Sequence, residues 1–431
     1  MIVVMADSDR EYRRAFYRAL NVHQGAAGLS DEEEFERYYV PVYGQDDGPA
    51  GPDLVKEIAT AIDFTTGGSV QLLSGYRGAG KTTELLRLCR ELDPETYVPV
   101  YWDVEDYFNT ELPLEEGAFL VGLAAGFVAS CKEAEIPEDG LGTRLKQFLD
   151  RIDVTAGLGV GAAAGSVALN VKVALQDDES FRAQVEEALR SNRRRFRQEV
   201  HAFFEEMVDA MPGGRTPVFV VDSIDHYRGS ASTFDEVRES VESLFSVYAS
   251  ELMLPRMHVV YTVPVYARPA GWDGQIWPVL NVKVRERDGS DCREGIDLLR
   301  EVLERRAPGG DLERLLGNEV ERVIKNSGGL FRDLFRLVSA LLLKDGPLPV
   351  SRTEIDSAER RERSQLVAGL TQEQWEILQS VHRTHQLLPS RDRAADAWSL
   401  HRLGNVLCYR NGAVDWFGVR PLLDPLLTER A

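Results

Sequence analysis

Residues Gly75–Thr83 read GYRGAGKTT, which fits the pattern G-x-x-x-x-G-K-[ST] at Gly75, Gly80, Lys81 and Thr82. Glycines let the backbone curl so that successive N–H groups of Gly75, Tyr76, Arg77, Gly78, Ala79 and Gly80 converge on phosphate oxygens. The flanks suit that chemistry. An apolar strand, Ser69–Ser74, precedes the loop, and a helix with leucines on one face, Thr83–Arg90, follows it. The helix N-terminus adds partial positive charge. Lys81 is expected to reach the β- and γ-phosphates of a bound nucleotide, and the Thr82 hydroxyl to ligate Mg²⁺.

A second element supports this reading. Val218-Phe-Val-Val-Asp222 is a buried strand ending in a carboxylate, at the edge where open α/β sheets bind ligands. Asp222 is therefore the candidate for holding Mg²⁺ through water. In many hydrolysing enzymes with this loop, a second acid follows directly and orients the attacking water. Here Ser223 stands in that place. Either Asp225 takes over that role or turnover is slow; Asp225 reads equally well as a helix cap or a loop carboxylate. Thr262 ends the next strand, Met257–Val263, and reads either as a polar site residue or as an ordinary β-branched strand residue. Arg332 lies in the first turn after the glycine break Ser327-Gly-Gly and would reach a nucleotide from there, or else serve as a surface arginine.

Strands alternating with helices imply an α/β fold: a parallel sheet with helices on both faces. Four segments are expected. Residues 1–50 form a helical lead-in, and 51–290 the nucleotide core. Residues 291–368 form a helical lid, and 369–431 a winged-helix-like end with a hairpin at Asn411-Gly412. Within the core, Ile152–Gln176 alternates apolar and other residues and predicts an amphipathic β-hairpin, followed by one long charged helix over 180–211. A strand is expected over Val279–Val284.

The chain has 431 residues and a net charge of −20, which repels nucleic acid and anionic membrane surfaces. Its four cysteines are widely spaced and show neither a metal pattern nor a disulfide framework, so a reducing cytoplasm is expected. The arginines 190, 193, 194, 195 and 197 are interleaved with glutamates, which favours a solvated mixed-charge face over a site for nucleic acid or an acidic partner surface.

Taken together, SGYRGAGKTTEL, VFVVDSID, YTVP, SGG-x-x-RD and the terminal helices and hairpin resemble STAND/AAA+-type P-loop NTPases, of the kind found in bacterial antiviral and conflict systems. The resemblance covers roughly residues 50–431. It implies ATP and Mg²⁺ as ligands, Lys81 and Thr82 in the phosphate loop, Asp222 as the metal-side acid, Thr262 as the first sensor and Arg332 as the second. It also implies a nucleotide-operated switch acting on an effector protein or through self-association. The alternative is a DNA-binding AAA+ ATPase of the replication-initiator kind. Residues 366–431 carry seven arginines (383, 391, 393, 402, 410, 420, 430), no lysine and seven acids (373, 376, 392, 396, 415, 424, 429), a balance poorly suited to phosphate-backbone contacts.

Overall fold

The computed structural model describes residues 7–21, 29, 31–44, 48–133, 140–154, 164–230, 232–267, 272, 274–412 and 414–430. The chain divides into two compact units. The phosphate-loop unit comprises Met1–Leu54, Gly75–Thr83 and Val279–Ala431; the sheet unit comprises Val55–Ser74 and Glu84–Pro278.

The sheet unit is built on β1 (Ser69–Gly75), β2 (Tyr97–Asp103), β3 (Thr216–Asp222), β4 (His258–Pro264) and β5 (Ile276–Val279). Their spatial order is β2-β3-β4-β1-β5. β2 pairs with β3, and β3 with β4, in parallel. Val218, Phe219, Val220 and Val221 are all fully buried, so both faces of β3 are covered. This is why the strand reads as a continuous apolar run instead of alternating. β2 lies at the sheet edge, where the missing N–H of Pro99 is tolerated. Register sets Asp103 opposite Asp222 at the C-terminal ends of β2 and β3.

Helix Glu116–Glu133 packs on β2 through Gly122 and Gly126. A Cβ on Gly126 would lie 2.3 Å from Trp102 Cε2. The indole stacks on Phe219 at 6.1 Å, and Phe127 meets Phe219 edge-on at 5.1 Å.

Two expectations in this unit are corrected. The second arm of the expected β-hairpin at 152–176 is instead the helix Ala164–Asp177. Val167, Val171 and Leu175 are four residues apart and buried beside Ala168, whereas Leu169 and Val173 are exposed. An every-second-residue pattern contains a four-residue subset, and packing against helices Glu116–Glu133 and Leu141–Arg151 selects it. Most of the first arm, 155–163, lies outside the described residues. The expected long helix over 180–211 is two helices, Glu179–Ser191 and Arg193–Asp209. Asn192 breaks them: its side-chain oxygen accepts from Arg195 N–H at 3.0 Å and caps the second helix.

The phosphate-loop unit is mostly helical. Helix Asp7–Leu20 is anchored by buried Arg13, which donates to Leu341 O and Leu342 O at the end of helix Phe331–Leu342. The strand expected over Val279–Val284 does not form: β5 lies earlier and ends at Val279, and residues 280–284 run on without a ladder. The C-terminal part consists of helix Gln372–Thr384, helix Ala394–Arg402, the antiparallel strands β6 (Val406–Asn411) and β7 (Val414–Val419), and helix Asp424–Arg430. Trp375, Leu378, Val381, Leu400, Val406 and Leu423 form its core. It is joined to the preceding helices by the buried pair Arg420–Asp333 and by the Tyr409 hydroxyl, which donates to Gly328 O at 2.8 Å. Among the described residues, no helix is long and apolar enough to cross a membrane.

Substitution Gly126→Ala is expected to lower the thermal denaturation midpoint. The rigid indole must shift at a cost of about 1–3 kcal/mol, which outweighs a helix-propensity gain of about 1 kcal/mol. An unchanged or higher midpoint would show that the helix does not depend on this close approach.

Candidate functional site

In the phosphate-loop unit, Gly78 and Gly80 adopt φ of +86° and +101°, conformations that glycine reaches without strain. The Ala79 N–H donates to Tyr76 O at 3.1 Å and closes the turn. The helix begins at Lys81, so the N–H groups of its first turn have no intrahelical acceptor. Lys81 is 4% exposed, and its ammonium donates to Gly75 O at 2.9 Å and to Tyr76 O at 2.7 Å. A buried cation thus lies over a ring of backbone that opens onto a helix N-terminus, an arrangement suited to an anion. Arg77, Thr82 and Thr83 are half-buried around the same loop.

Arg332 comes to this loop. Its N–H donates to Gly78 O at 3.3 Å, and a Cβ on Gly78 would lie 2.5 Å from Arg332 Cβ and 2.9 Å from its Nε. The neighbouring Phe331 ring is 3.4 Å from the position of a Cβ on Gly80. Tyr76 ties the loop to the C-terminal part of the same unit. Its hydroxyl donates to Val406 O at 3.0 Å and lies 2.7 Å from His401 Nδ1. Tyr43, which the sequence did not single out, bridges Ala79 O and Leu280 O with its hydroxyl at 3.3 and 3.2 Å.

In the sheet unit, Asp222 is 1% exposed at the end of β3. Its Oδ1 accepts from Ser223 N–H at 2.7 Å, and its Oδ2 from the Tyr101 hydroxyl at 2.8 Å. Ser223 sits at φ +69°, the left-handed region, which costs a non-glycine residue about 1–2 kcal/mol. That turn is held by Thr262, whose Oγ1 accepts from Ile224 N–H at 3.0 Å. Thr262 and Asp222 are therefore joined through one turn. Asp225 is buried at the side, 3.7 Å from His226 Nε2, while His226 Nδ1 lies 3.0 Å from Glu105 Oε1.

Sequence reasoning missed Asp103 and Tyr101. Asp103 ends a strand, just as Asp222 does, and that shared position was its only signal. Burial pushes the Asp103 carboxyl up to about 6; the nearby Ser223 hydroxyl opposes this shift, and the charge of Asp222 adds to it. Burial, then Asp222 and Asp103, also raises the Tyr101 phenol, so it remains a donor to Asp222.

Among the described residues, Arg306 and the arginines at 193, 195 and 197 do not gather at a phosphate site. Arg306 is buried, donates to Tyr38 O and packs on the Tyr38 and Phe335 rings. Arg193 pairs with Glu116, Arg195 with Asp153 and Arg197 with Glu251.

No family model matches the chain, and no curated protein matches it. Among solved structures, it is similar to the ORC2 protein of Aeropyrum pernix in its ADP form, with 12% identity over 93% of this chain and 95% of that one and a TM-score of 0.39. The ADPNP–ADP complexes of that protein give 12% identity, 93% and 98% coverage and a TM-score of 0.38. A Signal Transduction ATPase with Numerous Domains (STAND) protein with a tetratricopeptide repeat sensor, from Pyrococcus horikoshii, shows 11% identity over 87% of this chain and a TM-score of 0.29; the chain spans 42% of its length. Likeness at this level says nothing about individual residues, so the chemistry rests on the geometry above.

A carboxyl raised on folding binds its proton more tightly in the folded chain. Its contribution to stability is full below the ordinary value of 3.8 and is lost as pH rises through about 6. Asparagine at 103 would keep the cap to Glu105 N–H without that titration. Wild type is therefore expected to lose stability relative to Asp103→Asn between pH 4 and 7, read from thermal midpoints. A gap that stays constant with pH would contradict the raised carboxyl.

Proposed function

We propose that this chain binds ATP with Mg²⁺ and hydrolyses it slowly, using the phosphate loop Gly75–Thr83. The observation carrying this reading is the buried Lys81 ammonium over a glycine-shaped ring of backbone at a helix N-terminus. The loop N–H groups and Lys81 would take the phosphates. To do so Lys81 exchanges the Gly75 and Tyr76 carbonyls for phosphate oxygens, which accept more strongly because they are charged.

Thr82 and Asp222 would hold Mg²⁺, which supplies charge neutralisation on the phosphates. Asp222 fits this role: it is a buried carboxylate at the C-terminal end of β3, and the Ser223 N–H and the Tyr101 hydroxyl fix its orientation. Thr262 keeps the Asp222 turn in place, and Arg332 would add a cation at the loop. Ser223 offers no carboxylate to orient water, and Asp225 is held beside His226; both favour slow turnover.

In this reading the chain is a nucleotide-dependent switch. Filling the loop changes what Lys81, Tyr76 and Arg332 can hold, and Tyr76 passes that change to Val406 and His401 in the winged-helix-like end. The output would be control of a partner effector or of self-assembly, in the antiphage setting that the sequence resemblance implies. A replication-initiator role is the second reading. It is favoured by the helices and hairpin of residues 372–430 and opposed by the even charge balance of residues 366–431.

Calorimetry with ATP–Mg²⁺ tests the proposal. Lys81→Ala is expected to weaken binding by roughly 10- to 100-fold, the value of a charge-assisted hydrogen bond. Asp222→Ala is expected to lower phosphate release more than it lowers affinity. Unchanged affinity in the lysine variant would sink the assignment of the loop, and unchanged turnover in the aspartate variant would move the metal role elsewhere.

A further inference from the structure

Asn281 is 2% exposed, and among the described residues neither its Oδ1 nor its Nδ2 has a hydrogen-bond partner. Leaving both halves of a buried amide unmade is costly, and such a group calls for an explanation. Its surroundings within the phosphate-loop unit supply one. Two residues earlier, Val279 Cβ stands 3.0 Å from where a Cβ on Gly75 would lie. One residue earlier, Leu280 O shares the Tyr43 hydroxyl with Ala79 O of the loop. One residue later, Val282 N–H donates to Gly329 O, in the glycine break that opens the helix of Phe331 and Arg332. Asn281 is thus bracketed by the phosphate loop and by the segment that brings Arg332 to it.

We propose that Asn281 reads the base of the bound nucleotide and makes it adenine. This rests on the nucleotide-binding reading above. A phosphate offers only acceptors and would satisfy half of the amide. Adenine presents an N6 amino donor beside the N7 acceptor, which complements a carboxamide at both of its atoms. Guanine shows two acceptors, N7 and O6, on the same edge and leaves the amide oxygen unmade. The unmade bonds of the free chain are those completed on binding, so the residue trades stability of the empty chain for selectivity.

Asn281→Leu separates this role from a structural one. Leucine removes the unmade amide at similar volume, so the variant without ligand is expected to melt at or above the wild-type temperature. Its affinity for ATP is expected to fall roughly 10-fold, the range of one bidentate base contact. Affinity for inorganic tripolyphosphate, which has no base, is expected to stay within about 2-fold, and the preference for ATP over GTP to disappear. Asn281→Ala, which adds no bulk, is expected to show the same ATP-specific loss if the leucine variant does not fold.

Unchanged ATP affinity, or equal losses for ATP and tripolyphosphate, would overturn the proposal. So would a lower melting temperature in the leucine variant with ATP affinity retained, which would mark an amide satisfied by a buried water. If the wild-type chain binds neither ATP nor tripolyphosphate, the nucleotide reading itself falls. If it binds both and Asn281→Leu matches it, only the base-reading role falls.

Discussion

A closed ring of backbone around a cation is the feature on which the functional reading depends. Gly78 and Gly80 take up left-handed conformations, Ala79 N–H bonds back to Tyr76 O, and Lys81 reaches over the carbonyls of Gly75 and Tyr76. A side chain at Gly75, Gly78 or Gly80 would meet Val279, Arg332 or Phe331. The ring therefore accounts for both the glycine pattern and the packing on it. It also presents backbone N–H groups and a helix N-terminus to an anion, while Lys81 must exchange its carbonyl partners to join them.

Polar side chains extend the influence of that ring. Tyr76 reaches His401 and Val406, Tyr43 links Ala79 to Leu280, and Arg332 bonds Gly78 O through its own backbone. A shift at the loop therefore has defined covalent and hydrogen-bonded routes into the C-terminal helices and hairpin. In the sheet unit the corresponding fixed point is the turn after Asp222. A strained Ser223 is retained there because Thr262 and Asp222 both accept from its backbone neighbourhood.

Much of this was legible in the sequence, for physical reasons. The phosphate-loop pattern is local, so spacing alone places its residues. The run ending in Asp222 announces a strand covered on both faces, and the strand ends where a carboxylate is useful. The hairpin at Asn411-Gly412 was readable because its turn chemistry is equally local; its strands pair in register from Val406–Val419 to Asn411–Val414. Tertiary packing decided what was misread. Val167, Val171 and Leu175 satisfy both a strand and a helix pattern, and neighbouring helices choose the helix. Asn192 interrupts a pattern that otherwise supports one long helix. Asp103, Tyr43 and Asn281 were not legible as site residues. Their significance comes from register across β2 and β3, from a bridge spanning 237 positions in sequence, and from a buried amide with no partner among the described residues.

The most direct test of the account is amide hydrogen exchange across the whole chain, with and without ATP–Mg²⁺. The account predicts slower exchange in peptides covering Gly75–Thr83, because the loop N–H groups become donors to phosphate, together with a change over Tyr76's partners at His401 and Val406. Protection confined to other segments, with exchange at the loop unaltered under saturating ATP, would contradict it.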